Sequence, residues 1–282
     1  MSFIPPLPLQ TESINIAKTS GQHQGLSIEI DYGDYKGHPE VVNLDIRVRK
    51  MVQGIQNFLG KRKVLCKIKI ILQEKIMASK PNSGDDVEIA AHNHAVSDNE
   101  HVVKISMRLV IRGKQNIFKG IKHELTHAIV RSVSRRKIYE GMTEWFKEGL
   151  AVYAANQIDD RLNAWFNEAT FDVGMPFPKM SATQREDLIY QVFNGLENTL
   201  FRDRGIVPGH SFLDYLEDGL VFRYIETVYG PQGLRSFIMH VVNGASERAA
   251  LSLLSGLTFE EFSRDFYEYA RETVNSLYPP AN

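Results

Sequence analysis

The chain has 282 residues, 43% of them hydrophobic and 24% charged, with a formal net charge of -1. With 10% aromatic residues, this composition excludes disorder as the main theme. A lone cysteine, Cys66, excludes a disulfide scaffold and fits a reducing compartment.

No apolar run approaches the roughly 18 residues needed to cross a bilayer, so no membrane partner is expected. The start, Met1-Ser-Phe-Ile-Pro-Pro-Leu-Pro8, lacks the basic and continuous apolar regions of a secretory signal, and the expected address is cytoplasmic by default. Charge is unevenly spread: residues 1–139 carry 22 Lys and Arg against 13 Asp and Glu, residues 140–282 carry 11 against 21. The basic residues are scattered over several elements, which reads as solvated faces or lobes of opposite sign. No nucleic-acid partner is expected.

In chain order, residues 1–38 are rich in Pro, Gly and polar residues, with one alternating stretch, Leu26–Ile30, expected as an edge strand. Val41, Leu44, Val48, Met51, Val52, Ile55, Phe58 and Leu59 recur at three- and four-residue intervals, which predicts an amphipathic helix over Val41–Leu59 closed by Gly60. Val64–Leu72 alternates Lys67 and Lys69 with Ile68 and Ile70 and reads as a strand with one buried face. Met77–Asn99, rich in Asn, Ser, Gly and Asp, reads as a loop or decorated excursion. His101–Val110 reads as a strand ended by Gly113, with Val103, Ile105, Met107 and Leu109 on one face.

From there the pattern is helical: Asn116–Val133, Met142–Ile158, Gln184–Phe201, Ser211–Val228, Gln232–Val242, Ser246–Leu254 and Phe259–Leu277. Gly230-Pro231, Gly244 and Gly256 punctuate these helices. The expected fold class is α+β, a small mixed sheet in an N-terminal lobe packed on an all-helical C-terminal lobe. The expected division is an α+β region of unassigned role over 1–100 and a catalytic region over 101–282.

His123-Glu124-Leu125-Thr126-His127 carries the chemistry. Residues four apart share a helix face, so both imidazoles can reach one ion. Glu124 projects near the same place and can take a proton from a metal-activated water. Ile117, Phe118, Ile121, Leu125, Ala128 and Ile129 make the rest of the helix apolar, and two buried His with a Glu and no metal would be costly. The alternative is a helix whose His and Glu residues bond one another or face solvent. A catalytic zinc needs a third protein ligand, and the next helix offers Glu140, Glu144 and Glu148. Glu148 is followed by Gly149-Leu-Ala-Val-Tyr153 and is expected to point inward, where Gly149 lets another backbone come close. Glu144 is expected on a solvated face.

His123-Glu-Leu-Thr-His127, followed 21 residues later by Glu148 within Trp145-Phe-Lys-Glu-Gly-Leu-Ala-Val-Tyr153, resembles the gluzincin metallopeptidases, and within them the peptidase MA-like group. Tyr215, Phe222–Leu234, Ser246–Ala250 and Phe259–Phe262 resemble that group's C-terminal helices, so the likeness runs over roughly residues 101–275. The resemblance implies a zincin-like fold in which His123, His127 and Glu148 bind Zn2+. It implies that Glu124 is the general base, that Tyr215 helps hold the developing oxyanion, and that the substrate is a peptide or protein. It also implies that the strand around Val103–Leu109 lies at the sheet edge, where an extended peptide can pair with it. One departure is Val152, where thermolysin-like members carry an Asp that orients a ligand His. No Gly-x-Met-x-Asn stretch of the aminopeptidase type is present.

The expected function is therefore a zinc-dependent peptidase, with a catalytically inactive zinc-binding scaffold as the alternative. His92-Asn93-His94 spells a nuclease-like triplet but lies in a polar stretch without its usual context, and is read as solvated loop. Lys61-Arg62-Lys63 is read as surface at a helix end, and His101 and Cys66 as structural.

Overall fold

The computed structural model describes residues 11–15, 25–60, 64–79, 86–168, 175–193 and 211–279. The fold is mixed α+β, with a small sheet followed by a helical C-terminal part. The described residues fall into two compact units, one within Met1–Asn57 and Lys61–Arg136, the other within Phe58–Gly60 and Lys137–Asn282.

In the first unit, β1 (Thr11–Asn15), β2 (Leu26–Asp31), β3 (Cys66–Gln73), β7 (Glu100–Ser106) and β6 (Ala91–Ser97) form one sheet in the order β1-β2-β3-β7-β6. The β2–β3 and β3–β7 pairs are parallel, and the β1–β2 and β7–β6 pairs antiparallel. Parallel β2 and β3 require a crossover, which includes α1 (Leu44–Phe58) with Leu44, Val48, Val52 and Ile55 buried. The expected helix thus begins three residues late: Pro39–Val41 forms a 3-10 turn, and the chain passes through Asn43 at φ 59. Alternation along β2 and β3 buries Leu26, Ile28, Ile30, Cys66, Ile68, Ile70 and Leu72, each large aliphatic contributing about 1.5–3 kcal/mol.

Three expectations are corrected here. Leu26–Ile30 is not at the edge, because β1 pairs outside it. The Met77–Asn99 stretch is largely strand: β4 (Ile76–Ser79) and β5 (Asp86–Ile89) make a separate two-stranded sheet, and β6 follows. Its polar residues pair because tertiary partners outweigh propensity. Ser106 donates to the Glu88 carboxylate at 2.7 Å, and the Nε of Arg108 donates to it at 2.9 Å, anchoring the small hairpin. The third correction concerns Val103–Leu109. The strand ends at Ser106 and α2 (Met107–Ile111) begins, with the N–H groups of Ser106 and Arg108 donating to the carbonyls of Ala90 and Glu74. β7 is interior; among the described residues, β1 and β6 hold the two edges of the sheet, with β6 beside β7.

The second unit is helical. α4 (Arg136–Gly141), α5 (Glu144–Ala154), α6 (Ile158–Leu162) and α7 (Ala182–Phe193) precede α8 (Ser211–Val242), α9 (Glu247–Ser255) and α10 (Phe259–Leu277). The expected break at Gly230-Pro231 is a kink inside α8, where Gly230 adopts φ 72, ψ 173 and Pro231 restarts the helix. Thr258 and Glu261 form a capping box at the start of α10. Trp145 and Phe146 of α5 meet Phe222 and Phe237 of α8 with ring centroids 5.6–6.3 Å apart, forming the aromatic centre of this unit. The end of the expected Gln184–Phe201 helix lies outside the described residues, as does the Lys61-Arg62-Lys63 cluster. No described helix is long and apolar enough to cross a membrane.

Candidate metal centre

His123, Glu124 and His127 lie on α3 (Ile117–Ser134). Asn116 caps this helix, its Oδ1 accepting from the N–H of Phe118 at 3.0 Å and of Lys119 at 3.2 Å. Ile121, Leu125, Ala128 and Ile129 are fully buried, and α3 packs on β6, β7 and β3. The helix is therefore held rigidly by its apolar face, while His123, Glu124 and His127 are half-buried. The two imidazoles face each other at one helical turn, with Nε2 to Nε2 at 3.2 Å and ring centroids 4.9 Å apart. Nitrogens bound to one tetrahedral zinc at 2.0–2.1 Å would stand about 3.3 Å apart, so the pair fits a shared ion.

The three glutamates considered for the third ligand differ sharply in setting. Glu140 is exposed. Glu144 is 64% exposed and pairs with Lys147, which lies over the Tyr139 ring. Glu148 alone is half-buried. Its position follows from its neighbour: a Cβ on Gly149 would stand 2.5 Å from the Asp218 carbonyl oxygen and 2.8 Å from the Phe222 ring. Only glycine lets α5 and α8 approach so closely, as the sequence implied. Gly219 complements it, since a Cβ there would meet Val152 at 2.5 Å. Val152 is thus a fully buried helix-packing residue.

Among the described residues, His123, His127 and Glu148 form the group able to hold a metal ion, with one ligand atom from each within 4.8 Å of the others. Two imidazoles and a carboxylate are a zinc-type donor set that leaves a position for water. Glu124, next to the first His, is not part of this set.

The remaining candidates separate from this group. Tyr215 lies on α8, and its side chain is outside the described residues. Tyr224 is 4% exposed and packs edge-on against Phe262 and Phe266, a core role; burial raises its pKa. His92 and His94 are exposed on β6 while Asn93 is half-buried, so the triplet alternates faces and does not converge. His101 is fully buried in β7, and burial, with the nearby Arg131 charge, lowers its pKa to about 4. Burial also pushes the Cys66 thiol up to about 11, which makes it a poor nucleophile.

One contact lay beyond sequence reasoning. Glu247, 104 residues from Thr143, accepts hydrogen bonds from this N-cap residue of α5. No spacing rule joins residues so far apart. No protein-family model and no curated protein matches the sequence significantly.

Proposed function

We propose that this protein is a zinc-dependent peptidase of the gluzincin, peptidase MA-like type, with a zincin-like arrangement of sheet and metal-binding helix. The observation that carries the proposal is the convergence of the His123, His127 and Glu148 ligand atoms within 4.8 Å, with the Glu124 carboxylate adjacent in sequence and half-buried. His123, His127 and Glu148 hold the ion. Bound zinc supplies Lewis acidity, polarising a carbonyl and lowering the pKa of water.

Glu124 accepts the proton of the attacking water and delivers it to the leaving amine, so one carboxylate serves as base and then acid. Its place on α3, beside a ligand and fixed by the apolar face of that helix, keeps it oriented without a bond to the ion. Tyr215 donates a hydrogen bond to the tetrahedral oxyanion. An extended peptide is held by main-chain hydrogen bonds to β6, the edge strand beside β7.

The test is hydrolysis of a quenched fluorescent peptide library by zinc-loaded protein and by Glu124→Gln. Turnover in the parent and a loss of about 10²–10⁴-fold in the variant, at equal zinc content, is the expected result. Full turnover in Glu124→Gln refutes the role of Glu124. A parent that holds zinc and cleaves no peptide is a scaffold, and the peptidase reading fails.

A further inference from the structure

The carboxylate of Glu247 occupies an unusual position for an acid that is only 6% exposed. Its Oε1 accepts from the backbone N–H of Thr143 at 2.8 Å and from the Thr143 hydroxyl at 3.0 Å. Thr143 is the N-cap of α5, and its hydroxyl makes no cap bond to its own helix. An N-cap threonine ordinarily accepts from a first-turn N–H; here its hydroxyl donates to an acid from another helix. Glu247 is also the first residue of α9, behind Ser246, whose hydroxyl oxygen accepts from the N–H of Ala249 at 3.3 Å. The carboxylate therefore stands at the N-termini of two helices, where both dipoles favour negative charge.

Burying a carboxylate is costly, and an ordinary cap would not need one. What this arrangement adds is a fixed point. α5 is held at its start by Glu247 and, one turn and a half later, by the close approach of Gly149 to the Asp218 carbonyl. Glu148 lies between the two, as the fifth residue of a helix that begins at Glu144. A rise of about 1.5 Å and a turn of about 100° per residue carry any slip at Thr143 straight to Glu148.

We infer that Glu247 is a positioning residue that sets the axial position and rotation of α5, and through them the Glu148 ligand atom. This inference rests on the metal site proposed above.

The experiment is zinc affinity, by competition with a chromophoric chelator, on the full chain as parent, Glu247→Gln, Glu247→Ala and Thr143→Val. Far-ultraviolet circular dichroism and melting of the metal-free proteins run alongside. Glu247→Gln keeps an acceptor oxygen and retains affinity within about threefold. Glu247→Ala weakens zinc binding by about tenfold or more while remaining folded, the size of effect seen when a ligand's supporting partner is lost. A cap with a structural role alone would lower the melting temperature and leave the zinc affinity of the folded protein unchanged, and that result overturns the inference. If Glu247→Ala does not fold, Thr143→Val decides: about threefold weaker binding supports the pin, and unchanged binding overturns it. A parent that binds no zinc refutes the metal site itself, an outcome distinct from a normal parent with an indifferent Glu247→Ala.

Discussion

Gly54 and Gly149 are both interior helix glycines with ordinary backbone, on α1 and α5. Replacing either by alanine gains about 1 kcal/mol of helix propensity. Their surroundings differ completely. A Cβ at Gly54 meets nothing within 4 Å, whereas at Gly149 it stands 2.5 Å from the Asp218 oxygen, 2.8 Å from the Asp218 carbonyl carbon and 2.8 Å from the Phe222 ring. The closest of these is about 1 Å short of van der Waals contact, and two of the three atoms are backbone. Relief requires α5 and α8 to separate, which overpacking data put at about 1–3 kcal/mol and more for a rigid neighbour.

Two rigid backbone atoms put Gly149→Ala in the upper part of that range, about 2–3 kcal/mol. Subtracting the propensity gain leaves it destabilised by about 1–2 kcal/mol, a fall in Tm of about 2–4 °C, while Gly54→Ala rises by about 2 °C. Melting is followed by circular dichroism with chelator present, so that metal binding does not contribute. A displacement of about 1 Å next to Glu148 also weakens zinc binding about tenfold. A Gly149→Ala protein that melts at or above the parent temperature, with unchanged zinc affinity, refutes this account of how α5 is placed.

Further outcomes follow from the buried titratable groups. His101, with its pKa lowered from 6.5 to about 4 by burial and Arg131 against the opposing influence of Asp98, takes up a proton on unfolding between those values. Stability is therefore full above about pH 6.5 and falls towards pH 4, by about 3 kcal/mol at about 1.4 kcal/mol per decade. Urea titrations across that range should show the slope, and His101→Phe should flatten it; an unchanged slope assigns the acid sensitivity elsewhere. Cys66, 1% exposed with its pKa at about 11, should resist a thiol-disulfide reagent in the native protein and react fully in denaturant. Rapid native labelling would contradict its burial.

Much of this architecture is legible from residue spacing. The 3–4 periodicity of Leu44, Val48, Val52 and Ile55 marks α1, alternation marks β3, and the apolar face around Ile121, Leu125 and Ile129 marks α3. Phe259–Leu277 has the boundaries expected, because Thr258 and Glu261 supply a local start signal. The failures share one physical cause: the deciding interactions are distant in sequence. β6 is strand because β7 pairs with it, although His92, Asn93 and His94 have little β-propensity. The β7–α2 junction depends on the carbonyls of Glu74 and Ala90. In the site, the HExxH spacing brings His123 and His127 together within one turn, and the Glu-Gly step singles out Glu148, whose ligand atom lies within 4.8 Å of theirs. Glu247 carries no local signal, since its bond to Thr143 exists only after the helices have packed.

The most direct test of the central claim is metal content, by elemental analysis of protein purified without added zinc, beside Glu148→Ala. The account predicts about one zinc per chain in the parent, as for a single His-His-Glu site, and its near-complete loss in the variant. A parent that takes up no metal even when zinc is offered, or a variant that keeps it, would contradict the assignment of His123, His127 and Glu148 as a zinc site.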